Sequence, residues 1–354
     1  MMLVLNAGSS SLKFALFDPD LAQALSGQVS EIGGAARLEV DGRDDPADAP
    51  DHDAATALVL DLLRDRGHPA TALSAAAHRV VHGGTAFIGT VRVTPDVVAA
   101  IEAQIPLAPL HNPHNLAPIH ALTALAPDLP QVAGFDTAFH AMIPDLSRTY
   151  ALPADDRTAG LCRYGFHGIS YAGLTEALRA AGDLPARLLA LHLGNGASLC
   201  AIRDGRSVAT SMGYSPVAGL TMGTRSGDVD PIAVLDMARR HGIDGAAERL
   251  NRRSGLLALG GHSDMRALAA AGTPEAAFAR AHFAHWAIRH AGSAIAAMGG
   301  LDAIAFTGGI GENDAGMRQA IVDGLAFLGD VPVHVVPAEE ERTLARDATT
   351  LLAG

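Results

Sequence analysis

Two arginines, each set among glycines, are the side chains of this 354-residue sequence best suited to chemistry. Arg79 lies in HRVVHGG and Arg225 in GLTMGTRSGDVDP. A neighbouring glycine lets the backbone bend away, and a guanidinium left facing an open site can hold a carboxylate or phosphate through two parallel hydrogen bonds. Either arginine alone reads equally as half of a surface ion pair; together they suggest an anionic small substrate. Asp136, closing the apolar run in VAGFDTAFH, is the acidic candidate, with capping of the next segment as its other reading. Histidines 78, 82, 111, 114, 140, 167 and 192 concentrate near the same segments. None sits in an H-x-x-x-H pair on a helix, so they read as hydrogen-bonding or core residues rather than zinc ligands.

Three glycine-bearing turns accompany these residues: LNAGSSSLKF at the N-terminus, HLGNGASL around Asn195, and FTGGIGEN with Gly308, Gly309 and Gly311. Backbone N–H groups in such turns approach phosphate oxygens closely, and a helix N-terminus adds partial positive charge. Asn, Gly and Ser also suit an ordinary hairpin turn, so each stretch alone says little. Three of them in one chain point to a nucleotide. Neither G-x-G-x-x-G nor G-x-x-x-x-G-K-[ST] occurs, which disfavours dinucleotide and Walker-type sites. Lys13, at the start of the second strand, is the only lysine, every other cationic side chain being Arg. A compact ammonium kept at this one place marks it as a candidate site residue.

Elements to position these groups follow from the patterning. Strands are expected at 3–5 and 12–17, with a small meander through ALSGQVSEIG and ARLEVDG. DDPADAPDHD reads as a loop before a helix at about 53–66; a buried strand then carries Arg79, and helices follow at about 95–104 and 113–125. A second unit begins near 150, with three strands in ARLLALHLGNGASLCAIRDGRSVATS. Its turn repeats the first: NAGSSSL falls on LGNGASL, pairing Ser11-Leu12 with Ser198-Leu199, and suggests a duplicated domain. Helices are expected at 230–241, 245–253 and 274–298, a strand running into a glycine loop that opens a helix at LDAIAFTGGIGEN, and a final strand and Glu-rich helix start in VHVVPAEEER.

Composition narrows the class. A net charge of −12 without a basic run argues against nucleic-acid or anionic-membrane partners. Cys162 and Cys200 are too few for a disulfide framework, and no apolar run approaches the ~20 residues of a membrane span, so a reducing cytoplasm is the expected setting.

The strings LNAGSSSLKF, HRVVHGG, LAPLHNPHNL, FDTAFH, RYGFHG, HLGNGASL, MGTRSGDVDP, SGLL and GGIGEN resemble, in order and spacing, those of the acetate kinase family. The resemblance runs from Leu3 to the C-terminal helix. It implies an α/β chain with the duplicated ribonuclease H-like (actin-like ATPase) fold, two βββαβαβα domains with the active site in a cleft between them. Those domains would be 1–150, with helix 338–354 packing back on it, and 151–337. It also implies reversible transfer of the ATP γ-phosphoryl group to acetate, giving acetyl phosphate and ADP, with Mg²⁺ or Mn²⁺, in a homodimer.

By the same resemblance, Asp136, Arg79, Arg225 and His167 are the catalytic set, and Asn6 and Glu340 the metal residues, with Glu339 and Glu341 as neighbours. Val81, Leu110, Phe166 and Pro216 would enclose the acetate methyl, beside Arg79 and His111. Ser11 and Lys13 would face the phosphates, as would His192, Leu193, Gly194, Asn195 and Gly196 in the second hairpin. Asp264, Met265, Arg266, Gly309, Ile310, Gly311 and Asn313 fall where the family holds the nucleoside. Asp136 is expected to orient Arg79 or the metal's water shell, since acetate is already ionised and requires no base. Four features depart from the family pattern: Ile169-Ser170-Tyr171 replaces Thr-Ser-His, Ala218 stands where an acid is usual, LGGHSDMR is one residue short, and the chain is short overall. Propionate kinase is the near alternative, since one methylene changes discrimination by only about 1–3 kcal/mol; Val81 favours acetate. A nucleotide-dependent switch like Hsp70 or actin is the alternative from another class.

Overall fold

Strands buried on both faces mark the centres of two sheets, because a strand flanked by helices on each side has no polar face to show. The computed structural model describes residues 1–354 as two compact units, Met1–Ala141 with Glu339–Gly354, and Met142–Ala338.

In the first unit β1 (Met2–Ala7), β2 (Leu12–Phe17), β3 (Gln23–Ser30), β4 (Arg37–Val40) and β5 (Arg43–Pro46) form an antiparallel meander. β6 (Ala75–Val80) and β8 (Gln131–Phe135) extend it in parallel beyond β1, and the short β7 (Val91–Arg92) closes the far edge. The order is β5-β4-β3-β2-β1-β6-β8-β7. Helices α1 (His52–Asp65), α2 (Pro95–Glu102) and α3 (Asn112–Leu125) lie in this unit. Asp51 starts α1 by accepting a hydrogen bond from the Ala54 amide at 2.8 Å. Its apolar stripe, Ala55, Val59 and Leu63, joins Leu3, Leu5, Leu12, Phe14 and Leu16 in a core. The last helix of the chain, α13 (Glu340–Ala353), also packs on β1, β2 and β6. Gly134 in β8 makes room for it, since a β-carbon there would strike Leu344.

The expected loop over 44–53 is corrected at its start, because Arg43–Pro46 is a strand. Its residues are exposed, and an edge strand needs no apolar face, so its polar, proline-bearing sequence carries no strand signature.

The second unit opens with two single-turn helices, α4 (Asp145–Arg148) and α5 (Ala154–Thr158), and then α6 (Gly168–Ala181). β9 (Arg187–Leu193), β10 (Ala197–Arg203) and β11 (Arg206–Thr210) are antiparallel, while β12 (Ala303–Thr307) and β13 (Val333–Val335) run parallel to β9. The order β11-β10-β9-β12-β13 repeats the β3-β2-β1-β6-β8 core of the first unit with the same strand directions. That repetition is the duplicated actin-like fold.

Helices α7 (Pro231–Arg252), α8 (Gly255–Gly260), α9 (Met265–Ala271) and α10 (Pro274–Met298) separate the hairpins from β12. The two helices expected at 230–241 and 245–253 are both present in the α7 stretch, separated at Gly242, whose φ of 74° and ψ of 167° are not helical. After β12 no glycine loop intervenes: α11 (Gly308–Asn313) starts at once, followed by α12 (Ala315–Gly324). Gly308 permits this with φ 78° in a place where a β-carbon would meet the backbone of Leu193.

The repeat is real but its register needs correcting. The turns are closed by the pairs Ala7–Leu12 and Leu193–Ala197, so Leu12 corresponds to Ala197 and not to Leu199. The first turn has one more residue, which an ungapped comparison cannot accommodate.

Candidate active site

Three of the four central strands carry an uncovered residue near the carboxyl end. In β1 it is Asn6, in β6 Arg79 and in β9 His192, each breaking a run of buried neighbours. Open α/β sheets present ligands at strand carboxyl ends, and side chains there escape the covering helices.

In the first unit Arg79 is the hub. Its Nη2 donates to Asp136 Oδ2 at 2.6 Å and its Nε to Oδ1 at 3.0 Å, a bidentate pair. Nη1 donates to Asn6 Oδ1 at 3.2 Å, and Glu340 Oε2, from the first turn of α13, stands 3.8 Å from Nε. The Asp136 side chain is only 2% exposed, whereas Arg79 keeps 21% open to solvent. Burial works against charge on the guanidinium, but Asp136, Glu340 and Glu341 outweigh it and raise the pKa further. Arg79 is thus locked as a cation and held from the side of its Nε and Nη2.

The strands converge here through two asparagines that the residue-by-residue reading missed. Asn115 Oδ1 accepts from the Val81 amide at 2.9 Å, while its Nδ2 donates to the Ala7 carbonyl at 2.8 Å, tying β6 to β1. Asn112 exchanges hydrogen bonds with the backbone of His82, at 3.1 and 3.0 Å. Both lie in the first turn of α3 and are buried, an unusual place for two carboxamides at i, i+3 and the signal that could have found them. Val81 is buried beside them; His111, at the N-terminus of α3, is half-buried and Leu110 is exposed. In the hairpin, His52 Nε2 meets the Gly8 carbonyl at 2.7 Å, the Gly8 amide donates to Ser11 O at 2.8 Å, and Ser9 and Ser10 are exposed. Lys13, opposite Asn6 in the ladder, is exposed and lines a shallow groove of about 570 Å³ with Glu341.

In the second unit His167 takes φ 59° at the start of α6, a left-handed conformation uncommon for a side chain other than Gly or Asn. Its Nδ1 lies 2.8 Å from Ser198 Oγ, which also contacts the Tyr171 hydroxyl at 2.6 Å. Ser170 Oγ lies 2.8 Å from His192 Nδ1, and the His167 and His192 rings stack with centroids 4.2 Å apart. Ser170, in the segment that departs from the family pattern, thus orients His192, while its neighbour Tyr171 bears on His167 only through Ser198. A β-carbon on Gly196 would lie 3.2 Å from His167 Nε2 and 3.5 Å from Arg225 Nη1, so the space above this glycine faces both. Arg225 Nη1 also donates to the Pro216 carbonyl at 3.4 Å, and the Gly223 amide to the Asn195 carbonyl at 2.9 Å. Phe166 and Pro216 are both buried.

A cavity of about 870 Å³ in the same unit is lined by Gly194, Asn195, Asp264, Met265, Arg266, Gly309, Ile310 and Asn313. Leu193 and Gly311 are buried behind it. Asp264 caps α9 through the amides of Arg266 and Ala267, at 2.8 and 3.0 Å, and pairs with the exposed Arg266 at 3.1 Å. Asn313 Nδ2 donates to the Gly309 carbonyl at 2.9 Å. Sequence reading missed Arg280 and Asp314, which pair at 2.8 Å on the cavity wall. Burial opposes ionisation of Asp314, but Arg280 and the Met317 amide outweigh it and hold the carboxylate's pKa down. The volume and the mostly apolar walls, with a few placed polar groups, suit a nucleoside.

The chain is similar to known proteins along nearly its whole length. The model of the Acetokinase family matches residues 1–346. An acetate kinase of Leifsonia xyli subsp. xyli is 42% identical over 99% of both chains. Among solved structures, Porphyromonas gingivalis acetate kinase superposes with a TM-score of 0.91 at 36% identity over 99% of each chain. A propionate kinase from Francisella tularensis subsp. tularensis SCHU S4 gives 0.93 at 35% identity over 98% of each.

Proposed function

The chain belongs to the acetokinase family, and on that footing we propose that it is a phosphotransferase with a carboxyl acceptor, moving the γ-phosphoryl group of ATP reversibly onto acetate. A carboxylate oxygen forms the new P–O bond, the bond to the β-phosphate oxygen breaks, and ADP leaves. Acetate is ionised at neutral pH, so no base is needed; the work is positioning and stabilising charge on the equatorial oxygens.

The observation that carries the reading is the buried carboxylate of Asp136 gripping Arg79 from one side. It presents a permanently charged fork to an anion and prevents the fork from rotating. Arg225 and His167 share the space over Gly196. His167, steadied at Nδ1 by Ser198 Oγ, donates toward a phosphoryl oxygen in its Nε2–H tautomer. The cavity bounded by Met265, Ile310 and Asn313 takes the nucleoside, and Asn195 with its neighbouring amides the phosphates. Val81, buried in the first unit, supplies apolar wall for a short acyl chain.

Asn6 and Glu340 fit a hard cation, since both bring oxygen to the Arg79 cluster and Mg²⁺ is satisfied by one or two protein oxygens completed by water and phosphate. Such an ion would neutralise charge on the phosphates. No group of three or more His, Cys, Asp or Glu is placed to cage a metal alone, which suits an ion that arrives with the nucleotide. We also propose a homodimer, consistent with Ile232, Leu235 and Phe278 being exposed, and a cytoplasmic setting, consistent with two free cysteines.

The test is acyl hydroxamate formation from Mg-ATP and hydroxylamine, comparing acetate, propionate and butyrate by kcat/KM, with Arg79→Ala as control. Product formed best from acetate and lost in the control is expected. Preference for propionate would move the reading to that acid, which the likeness to the Francisella tularensis protein keeps in view. ATP hydrolysis without hydroxamate would overturn it in favour of a nucleotide switch.

A further inference from the structure

The segment that carries Arg225 is a closed loop with a second support. Its neck is shut by Asp228, whose Oδ1 accepts from the Gly219 amide at 2.7 Å and whose own amide donates to the Gly219 carbonyl at 3.0 Å. One side is tied to the end of α7, through Ser226 N to Leu250 O and Thr224 Oγ1 to Asn251 O, both 3.0 Å. The other side meets α10, whose residues 282, 286 and 290 are four apart and share one face.

Trp286 Nε1–H can only donate, and it lies 3.0 Å from His282 Nε2, so that nitrogen accepts. His282 Nδ1 therefore carries the proton and donates to Thr221 Oγ1 at 2.9 Å. Burial lowers the His282 pKa, in keeping with this neutral ring. One helical turn beyond Trp286, His290 Nε2 stands 3.3 Å from Asp228 Oδ2, close enough for a charge contact but without the alignment of a hydrogen bond. Burial resists ionisation of Asp228, but His290 and the Gly219 amide outweigh it and keep the carboxylate charged. Arg289 lies over the Trp286 ring at 4.5 Å, fixing the indole that sets the polarity of the relay.

We propose that His282, Trp286 and His290 of α10 are positioning residues, holding the Arg225 loop at Thr221 and at Asp228 and so aiming its guanidinium. The role rests on the reading of Arg225 as part of the phosphoryl-transfer site. None of the three lines the nucleoside cavity, and a 25-residue helix packed on β10, β11 and α8, with Ala279, Ala287 and Ala291 buried, gives them a rigid base. An arginine that acts on the transferring group must be placed within a fraction of an ångström, whereas ground-state binding of ATP and acetate tolerates more error.

The test uses the full chain with His282→Leu, His290→Leu and the donor-retaining His282→Asn. Hydroxamate kinetics are expected to show kcat about tenfold lower in both leucine variants, KM for ATP and acetate within about twofold of the parent, and recovery to within about threefold in His282→Asn. Hydrogen exchange is expected to quicken about tenfold at amides 219–228 in the leucine variants, with β9 and β10 unchanged. Unchanged kcat, or no change in loop exchange, would overturn the proposal. Should the parent make no acyl phosphate at all, the proposed reaction fails instead, and the exchange data still decide whether α10 holds the loop.

Discussion

Asp136→Asn isolates the charge that organises the Arg79 cluster while keeping the shape of the side chain. The wild-type carboxylate contacts Arg79 at 2.6 and 3.0 Å and is almost completely buried. At such distances, with an effective dielectric of about 20, the Coulomb attraction is about 6 kcal/mol, and desolvation of the two ions takes back several kcal/mol of it. Asn keeps one acceptor but turns a donor toward a guanidinium that is itself a donor. A charge-assisted bond is worth about 1.5–3 kcal/mol, and Glu340, 3.8 Å away and 15% exposed, compensates only in part. The expected outcome is about 2–3 kcal/mol lost in urea unfolding. An Arg79 free to swing toward Glu340 should also lower kcat/KM by about a hundredfold, which corresponds to 2.7 kcal/mol of transition-state stabilisation. Hydroxamate kinetics and urea melts on the same preparation check both. Turnover within about threefold of the parent would refute the reasoning, because Asp136 would then neither orient Arg79 nor order anything around it.

Gly196→Ala adds only a methyl group, 3.2 Å from His167 Nε2 and 3.5 Å from Arg225 Nη1, at a backbone angle alanine accepts. It should lower kcat by at least tenfold while leaving the unfolding midpoint nearly unchanged; a normal kcat would remove the shared space from the mechanism. Asn115→Ala breaks two buried hydrogen bonds and leaves the Val81 amide and Ala7 carbonyl without their partner, so about 2–4 kcal/mol of stability should be lost in urea unfolding. Acid should weaken the first unit through His78 and His82, whose pKa values burial pushes down from 6.5 to about 4. Below pH 6.5 the unfolded chain binds two protons that the native state refuses until about pH 4, so stability falls across that window, by up to about 1.4 kcal/mol per pH unit for each histidine. A series of urea melts from pH 7.5 to 4 should show this fall, reduced in slope by His78→Gln.

The parts of this protein legible in its sequence are those written in local pattern. Central strands are largely apolar with a polar residue near the carboxyl end, the turns carry their glycines, and an Asp or Thr stands before α1 and α2 as cap, so the hairpins and most helices could be placed without coordinates. The motif strings likewise pointed to the family, because residues that meet a ligand at strand ends come in short contiguous runs. β5 was not legible, since an edge strand buries nothing and so needs no pattern. The repeat register was misplaced because only the ladder reveals that one turn is a residue longer. Asn115 joins Val81 to Ala7 across 34 and 108 positions, Arg280 meets Asp314 across 34, and His282 reaches Thr221 across 61. A side chain's partner at such separations is chosen by how helices pack on the sheet, and packing is decided by the whole core rather than by the neighbours of either residue. Residue types, turns and segment polarity are thus properties of the chain; which fork is gripped, which histidine is oriented and which loop is braced arise only when tertiary contact brings the segments together.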